Sequence, residues 1–231
     1  MTVDNPIEDQ LDRVATALVS DNAVPGWLRP LIQHSLGGPL PGLLDRAARV
    51  RQAGNRQSAV LMLLAEGPDG PDLLLTERAS TLRTHAGQPA FPGGAIDAGE
   101  DAVTAALREG QEETGVDPAS VTPLLLMPRL YLPASEFVVQ PVLAYWHLPG
   151  PVAPVDPAET ALVARVPIST LADPANRIWA RFGAYQGVGF AVAGMLVWGF
   201  TAALIDALLD LGGWAQPWQF DHTRTVDLSR P

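Results

Sequence analysis

Three glutamates, Glu109, Glu112 and Glu113, follow Arg108 at spacings that gather them if the segment is helical. Residues three and four apart share one face of a helix, so the three carboxylates would project side by side. Like charges so placed repel and raise one another's pKa, and a divalent cation removes the conflict. Mg²⁺ and Mn²⁺ prefer such oxygen donors, and Mg²⁺ readily bridges carboxylates to substrate phosphates. A cation held there lowers the pKa of a bound water and draws charge from a phosphoryl oxygen. A bare Glu-x-x-Glu-Glu is more often a solvated helix face. Two features weigh against that here. Gly93 and Gly94 stand before the segment and let a backbone approach a ligand closely. Gly115 stands directly after it and suits a helix C-cap.

Other chemistries lack their residues. The chain has no cysteine, which excludes disulfides, thiolate zinc sites and cysteine nucleophiles. All 15 basic residues are arginine, which excludes a lysine Schiff base and a Walker lysine. No Gly-x-Ser-x-Gly elbow is present.

The elements that must position these groups follow from periodicity and punctuation. The spacing predicts a helix over 101–114, preceded by a tight Pro/Gly segment over 89–94. Apolar strand-like runs cover 58–65, 72–76, 121–131, 137–147, 160–166 and 177–197, and a helix is expected over 199–211. Residues 148–157 carry four prolines and read as a loop. Strands and helices mix without strict βαβ alternation, so the expectation is an α/β protein whose mixed β-sheet lies between helices. Residues 1–54 read as a helical N-terminal extension, with helices expected over 7–19, 27–34 and 43–51, packed on a main domain over 55–231.

A chain of 231 residues with 47% hydrophobic content can bury a core without covalent staples. Its net charge of −10 disfavours nucleic acid, because phosphates repel it. A small phosphorylated ligand stays compatible, since a bound cation inverts the local field. Residues 182–205 hold no charged side chain and are long enough to cross a bilayer. Five glycines and the β-branched first half favour buried strand followed by packed helix. The acidic N-terminus has no basic start and apolar run, so no signal peptide and no membrane partner are expected. The absence of cysteine suits a reducing cytoplasm.

The segment resembles the box of the Nudix hydrolases, G-x5-E-x7-R-E-U-x-E-E-x-G-U with U apolar. Gly94, Glu100, Arg108, Glu109, Glu112, Glu113, Gly115 and Val116 fall in register. At about 6% per fixed position, seven matches arise by chance about once in a million such chains, so coincidence is a poor explanation. Gly110 departs from the pattern, standing where an aliphatic residue is usual, and is expected to reflect packing. Upstream, Leu74-Leu75-Thr76-Glu77-Arg78-Ala79 through Arg83 and Gly87 to Phe91-Pro92-Gly93-Gly94 resembles the signature of the coenzyme A pyrophosphatase branch. Weaker likeness reaches Trp198-Gly199-Phe200-Thr201.

The resemblance implies metal binding by Glu109, Glu112 and Glu113, with Mg²⁺ or Mn²⁺ as cofactor. It implies catalytic roles for Glu109, Arg108 and Glu112, with Glu109 the first choice for assisting the water and Arg108 orienting the glutamates. Glu100 would hold the loop to the helix. Arg78, Arg83, Gly93 and Gly94 are the expected substrate contacts. The implied substrate is coenzyme A or an acyl-CoA, cut to 3′,5′-ADP and (acyl-)4′-phosphopantetheine. Another nucleoside diphosphate derivative, such as ADP-ribose or a dinucleotide, and a non-catalytic sensing module are the alternatives. A homodimer is left open. His85 reads as a structural hydrogen-bond partner, and Glu136 and Glu159 as surface acids that such enzymes sometimes recruit, Glu159 being the better placed.

Overall fold

The computed structural model describes residues 15–20, 24–38, 56–82, 85–133, 135–183, 185–219 and 225–227. At its centre lie β2 (Arg56–Gly67) and β8 (Phe137–Trp146), paired in parallel from Arg56↔Phe137 to Ala65↔Trp146. Both strands are nearly continuous apolar runs because both of their faces are covered, as parallel pairs require. Ala59, Leu61, Leu63 and Ala65 of β2 enter one core, and Met62 and Leu64 enter the other.

The other partners are antiparallel. β3 (Gly70–Arg78) returns along β2, β6 (Val121–Leu126) flanks β8, and β9 (Thr160–Pro167) pairs with β3. Short strands complete this sheet: β1 (Thr16–Ala17), β4 (Pro89–Ala90), β5 (Gly93–Ala95) and β7 (Leu130–Leu132). The path runs β1-β6-β8-β2-β3-β4, with β5 on β2, β7 on β8 and β9 on β3. The sheet is mixed, as expected. Helix α1 (Arg29–Leu36) lies in the core on one face, with α3 (Ile168–Ala172) and α4 (Gly199–Leu211). Helix α2 (Ala102–Thr114) packs Ala105 and Ala106 into the core on the other.

Four expectations need correction. Of the predicted helix over 7–19, residues 7–14 lie outside the described residues, and Thr16 and Ala17 form β1, pairing with Leu126 and Leu125, because the sheet edge outweighs local periodicity. The described residues before β2 therefore contribute a strand as well as a helix, where helices alone were expected; residues 43–51 lie outside the described residues. The run 121–131 is two strands, since β6 stops at Leu126, Met127 N–H turns to the Pro141 carbonyl and Pro128 has no N–H to offer. The stretch 177–197 is three strands, β10 (Arg177–Phe182), β11 (Tyr185–Val192) and β12 (Met195–Val197), in a second sheet of order β12-β11-β10-β13 with β13 (Thr225–Asp227). The charge-free run 182–205 thus divides between this sheet and α4, and no helix among the described residues is long and apolar enough to cross a membrane.

Gly110 has a packing cause. It is buried on α2, and a Cβ there would stand 2.6 Å from Leu61 Cδ2. The leucine of β2 fills the space that an aliphatic residue on the helix would take. Gly110→Val is expected to destabilise the protein by about 1–3 kcal/mol through overpacking. Adding Leu61→Ala should recover part of that loss. A double-mutant cycle of denaturant unfolding checks this, and additive losses would exclude direct exchange of volume.

Candidate active site

Helix α2 starts because Asp101, in extended conformation, accepts the Thr104 N–H at 2.8 Å as its N-cap. It ends at Gly115, whose φ of +77° is costly for other residues and whose N–H donates to the Gln111 carbonyl at 2.9 Å. Between these caps Arg108 spends all five of its N–H donors. Nε and Nη2 grip Glu100 Oε1 and Oε2 at 3.0 and 3.1 Å. Nη1 donates to Glu109 Oε1 at 2.9 Å and to Glu112 Oε2 at 3.0 Å. The second Nη2 proton goes to the Ala95 carbonyl at 3.1 Å. The Glu100 carboxylate also accepts the Asp97 N–H at 3.1 Å, so the loop is held to the helix through Glu100. Glu100, with Arg108 as main cause, is held below the usual carboxylate range, and the Arg108 pKa is raised, Glu100 again being the largest cause.

Strand β5 runs alongside this hub, with Ala59↔Gly94 and Val60↔Gly93 in register on β2. Neither glycine needs a positive φ. They are small for lack of room. A Cβ on Gly94 would fall into the Glu109 carboxylate, and one on Gly93 would stand 2.7 Å from Val60 Cγ1. Glu113 turns the other way: its Oε2 accepts the Gly93 N–H at 3.3 Å, and its Oε1 lies 3.9 Å from Arg78 Nη1. Arg78 Nε is buried without a hydrogen-bond partner among the described residues. Its ionic neighbour among the described residues is Glu113.

Electrostatics divide the three glutamates. Glu112 is largely exposed, while Glu109 and Glu113 are mostly buried. Burial raises Glu109, and Arg108 opposes the rise. Burial pushes Glu113 up to about 7, with Glu109 adding to the rise and Arg78 opposing it. Among the described residues, no three acidic or histidine side chains converge closely enough to enclose an ion. The reason is visible: Arg108 stands between Glu109 and Glu112, and Glu113 is turned to Gly93.

Of the remaining sequence candidates, Arg83 lies outside the described residues. His85 is exposed with φ 56° and shares a 2.9 Å hydrogen bond with Gln88, a structural role. The Glu159 carbonyl accepts the Ala79 N–H, and the Glu159 carboxylate adds to the Glu113 rise. Glu136 is exposed in the turn before β8. Sequence reasoning missed two groups. The Ala95 carbonyl leaves no side-chain signal. The Thr76 hydroxyl, which donates to the Ala90 carbonyl at 3.3 Å, stood inside a recognised motif without a role.

The raised Glu113 has a consequence for stability in the presence of chelator. Its folded pKa exceeds its ordinary 4.5, so between 4.5 and about 7 the folded chain binds more protons than the unfolded one. Stability therefore falls as pH rises through that window. Glu113→Gln should remove this fall, leaving stability unchanged near pH 4 and raising it by up to about 3 kcal/mol above pH 7. Urea unfolding of both proteins across pH checks it; an equal gain at both ends would refute the electrostatic origin.

A family model described as the NUDIX domain matches residues 55–182. The chain is similar to an uncharacterized Nudix hydrolase, NudL, of Photorhabdus laumondii subsp. laumondii, 36% identical over 159 residues, which cover 67% of this chain and 83% of that protein. A NudL of Cronobacter sakazakii is 47% identical over 89 residues, 38% of this chain, and that match spans only 45% of the relative. Several Salmonella proteins of the same name match over the same 45% share. Among solved structures, the crystal structure of a Nudix hydrolase from M. smegmatis, RenU, superposes with a TM-score of 0.50 at 21% identity over 72% of this chain and 91% of that chain, a likeness of fold. The matched domain takes in the capped α2, its arginine hub and the glycine strand beneath it, and the protein belongs to the Nudix hydrolase family.

Proposed function

We propose that the protein is a divalent-cation-dependent diphosphatase of coenzyme A or acyl-CoA, releasing 3′,5′-ADP and (acyl-)4′-phosphopantetheine. The observation that carries this reading is the segment 74–94. It resembles the signature of the coenzyme A pyrophosphatase branch, and it sets Arg78 beside Glu113 and Gly94 under Glu109. We assign residues 55–231 to the hydrolase domain and 1–54 to an extension, and the enzyme to the cytoplasm.

The donor set suits Mg²⁺ or Mn²⁺. Its oxygens are hard carboxylates. The carboxylates of Glu100, Glu109, Glu112 and Glu113 share the two guanidiniums of Arg108 and Arg78, which leaves two negative charges for a divalent ion to balance. Glu109, Glu112 and Glu113 would hold it, and their carboxylates, which do not converge here, would have to turn from Arg108 and the Gly93 N–H to do so. Such an ion, when bound, draws charge from phosphoryl oxygens and lowers the pKa of water. Arg108 keeps Glu109 and Glu112 oriented from one nitrogen. Gly93 and Gly94 offer backbone without side chains to the diphosphate, and Arg78 and Arg83 supply forked cations for its phosphates. Glu109 takes a proton from the attacking water. The water oxygen bonds to phosphorus while the bridging P–O bond breaks, and its electron pair leaves on the departing phosphate.

With Mg²⁺ or Mn²⁺, mass spectrometry is expected to find 3′,5′-ADP and phosphopantetheine from coenzyme A, and excess chelator should abolish turnover. Undiminished turnover in chelator sinks the cation. Release of free thiol alone from an acyl-CoA, or faster cleavage of ADP-ribose or a dinucleotide, sinks the substrate. Tight binding of these ligands with no turnover would mean a sensing module.

Gly94→Ala tests the close approach. Its backbone conformation accepts alanine, so the fold should persist with a melting temperature near wild type. The methyl group must displace the Glu109 carboxylate, and kcat should fall by at least about tenfold. Unchanged kcat would remove Glu109 from the reaction.

A further inference from the structure

The segment Pro89–Gly94 links the two cores. Phe91 is buried in the core on the α4 side, and three residues later Gly94 lies under Glu109 of α2. Pro89 and Pro92 have no N–H, so the segment can pair only partly through its own backbone, and its carbonyls depend on donors brought from elsewhere. Those donors come from three different elements. Leu61 N–H of β2 reaches the Pro92 carbonyl at 2.8 Å. The buried Thr76 hydroxyl of β3 reaches the Ala90 carbonyl at 3.3 Å. The buried Thr201 hydroxyl, in the first turn of α4, reaches the Pro89 carbonyl at 3.2 Å across 112 positions of sequence.

Helix α4 lies beyond the matched domain at 55–182, and Thr201 is a link from it into the site. A threonine in the first turn of a helix ordinarily serves that turn or water. Here Trp198, the N-cap residue, makes no side-chain cap bond, and the Thr201 hydroxyl is directed out of the helix. Downstream there is little slack. The Glu113–Gly93 hydrogen bond is already 3.3 Å long, and the Gly94 backbone leaves no room for a methyl group under Glu109. Pairing of β5 holds Gly93 and Gly94 on β2, and the Thr201 hydroxyl holds the Pro89 end of the same segment on the α4 side.

We propose that Thr201 is a positioning residue of the active site, its hydroxyl tethering the Pro89 carbonyl so that the Pro89–Gly94 segment keeps Gly93 and Gly94 in register with Glu113 and Glu109. This rests on the hydrolase reading above. Thr201→Val removes the hydroxyl at nearly constant volume, and Thr201→Ser keeps it. Kinetics on coenzyme A with Mn²⁺, and hydrogen exchange of the peptide covering 89–95, are measured for both and for wild type. Thr201→Val is expected to lower kcat about tenfold with little change in KM, and to raise deuterium uptake in 89–95 more than in α2 or β8. Thr201→Ser should restore both. A kcat within twofold of wild type, a loss that serine does not restore, or uptake raised equally throughout the chain overturns the proposal. If Thr201→Val does not fold, Thr76→Val tests the neighbouring tether by the same two readouts, and wild-type values there overturn the tethering of this segment. If wild type cleaves neither coenzyme A nor ADP-ribose, the substrate reading fails by itself, and the exchange of 89–95 still decides the tether.

Discussion

The site is organised by one guanidinium. Arg108 projects from the middle of α2, and each of its five N–H groups has an acceptor: Glu100 twice, Glu109, Glu112 and the Ala95 carbonyl. Those acceptors belong to the loop before the helix, to the helix itself and to strand β5. A planar fork can make this connection, and a lysine at the same place could not, because its ammonium has three donors on a point charge. Charge-assisted bonds are stronger than neutral ones, and these tie loop, helix and strand together. The caps fix where α2 starts and stops, and Ala105, Ala106 and Gly110 seat it on the sheet.

Around this hub the protein trades side chains for proximity. Gly94 gives its volume to Glu109, Gly93 to Val60, and Gly110 to Leu61. These exchanges bring α2 close to the sheet, β5 close to β2, and β5 close to the Glu109 carboxylate. Close packing makes such exchanges discrete, since an interior at crystal-like density has nowhere to place an extra methyl group. The unusual glycine inside the helix is the same device as the two glycines of the strand.

Burying two glutamates with so little compensation works against stability. Glu109 has Arg108 close by, whereas Glu113 has a distant Arg78 and one long backbone bond, and its carboxyl is pushed up to about 7. A protein selected for folding alone has little reason to keep such a group. Perturbed carboxylates beside small backbone, and a guanidinium nitrogen without a partner among the described residues, are the marks of a site built to receive charge.

Much of this was legible in the chain itself. The 101–114 helix, its C-terminal glycine and the shared face of its glutamates follow from 3.6-residue periodicity and cap chemistry, which are local properties. The 199–211 helix and the mixed character of the sheet were likewise readable from local pattern. Other features belong to the tertiary structure alone. Pairing at the sheet edge turned Thr16 and Ala17 into strand, and the register of β10, β11 and β12 divided one apolar stretch into a second sheet. Sequence spacing put Glu109, Glu112 and Glu113 on one face, but it could not say that Arg108 would stand between the first two or that Glu113 would turn to Gly93. Nor could it join Thr201 to Pro89, 112 positions away. Local pattern records what each segment prefers by itself; partners distant in sequence are chosen only when the packed sheet brings their donors and acceptors within 3 Å or so of one another.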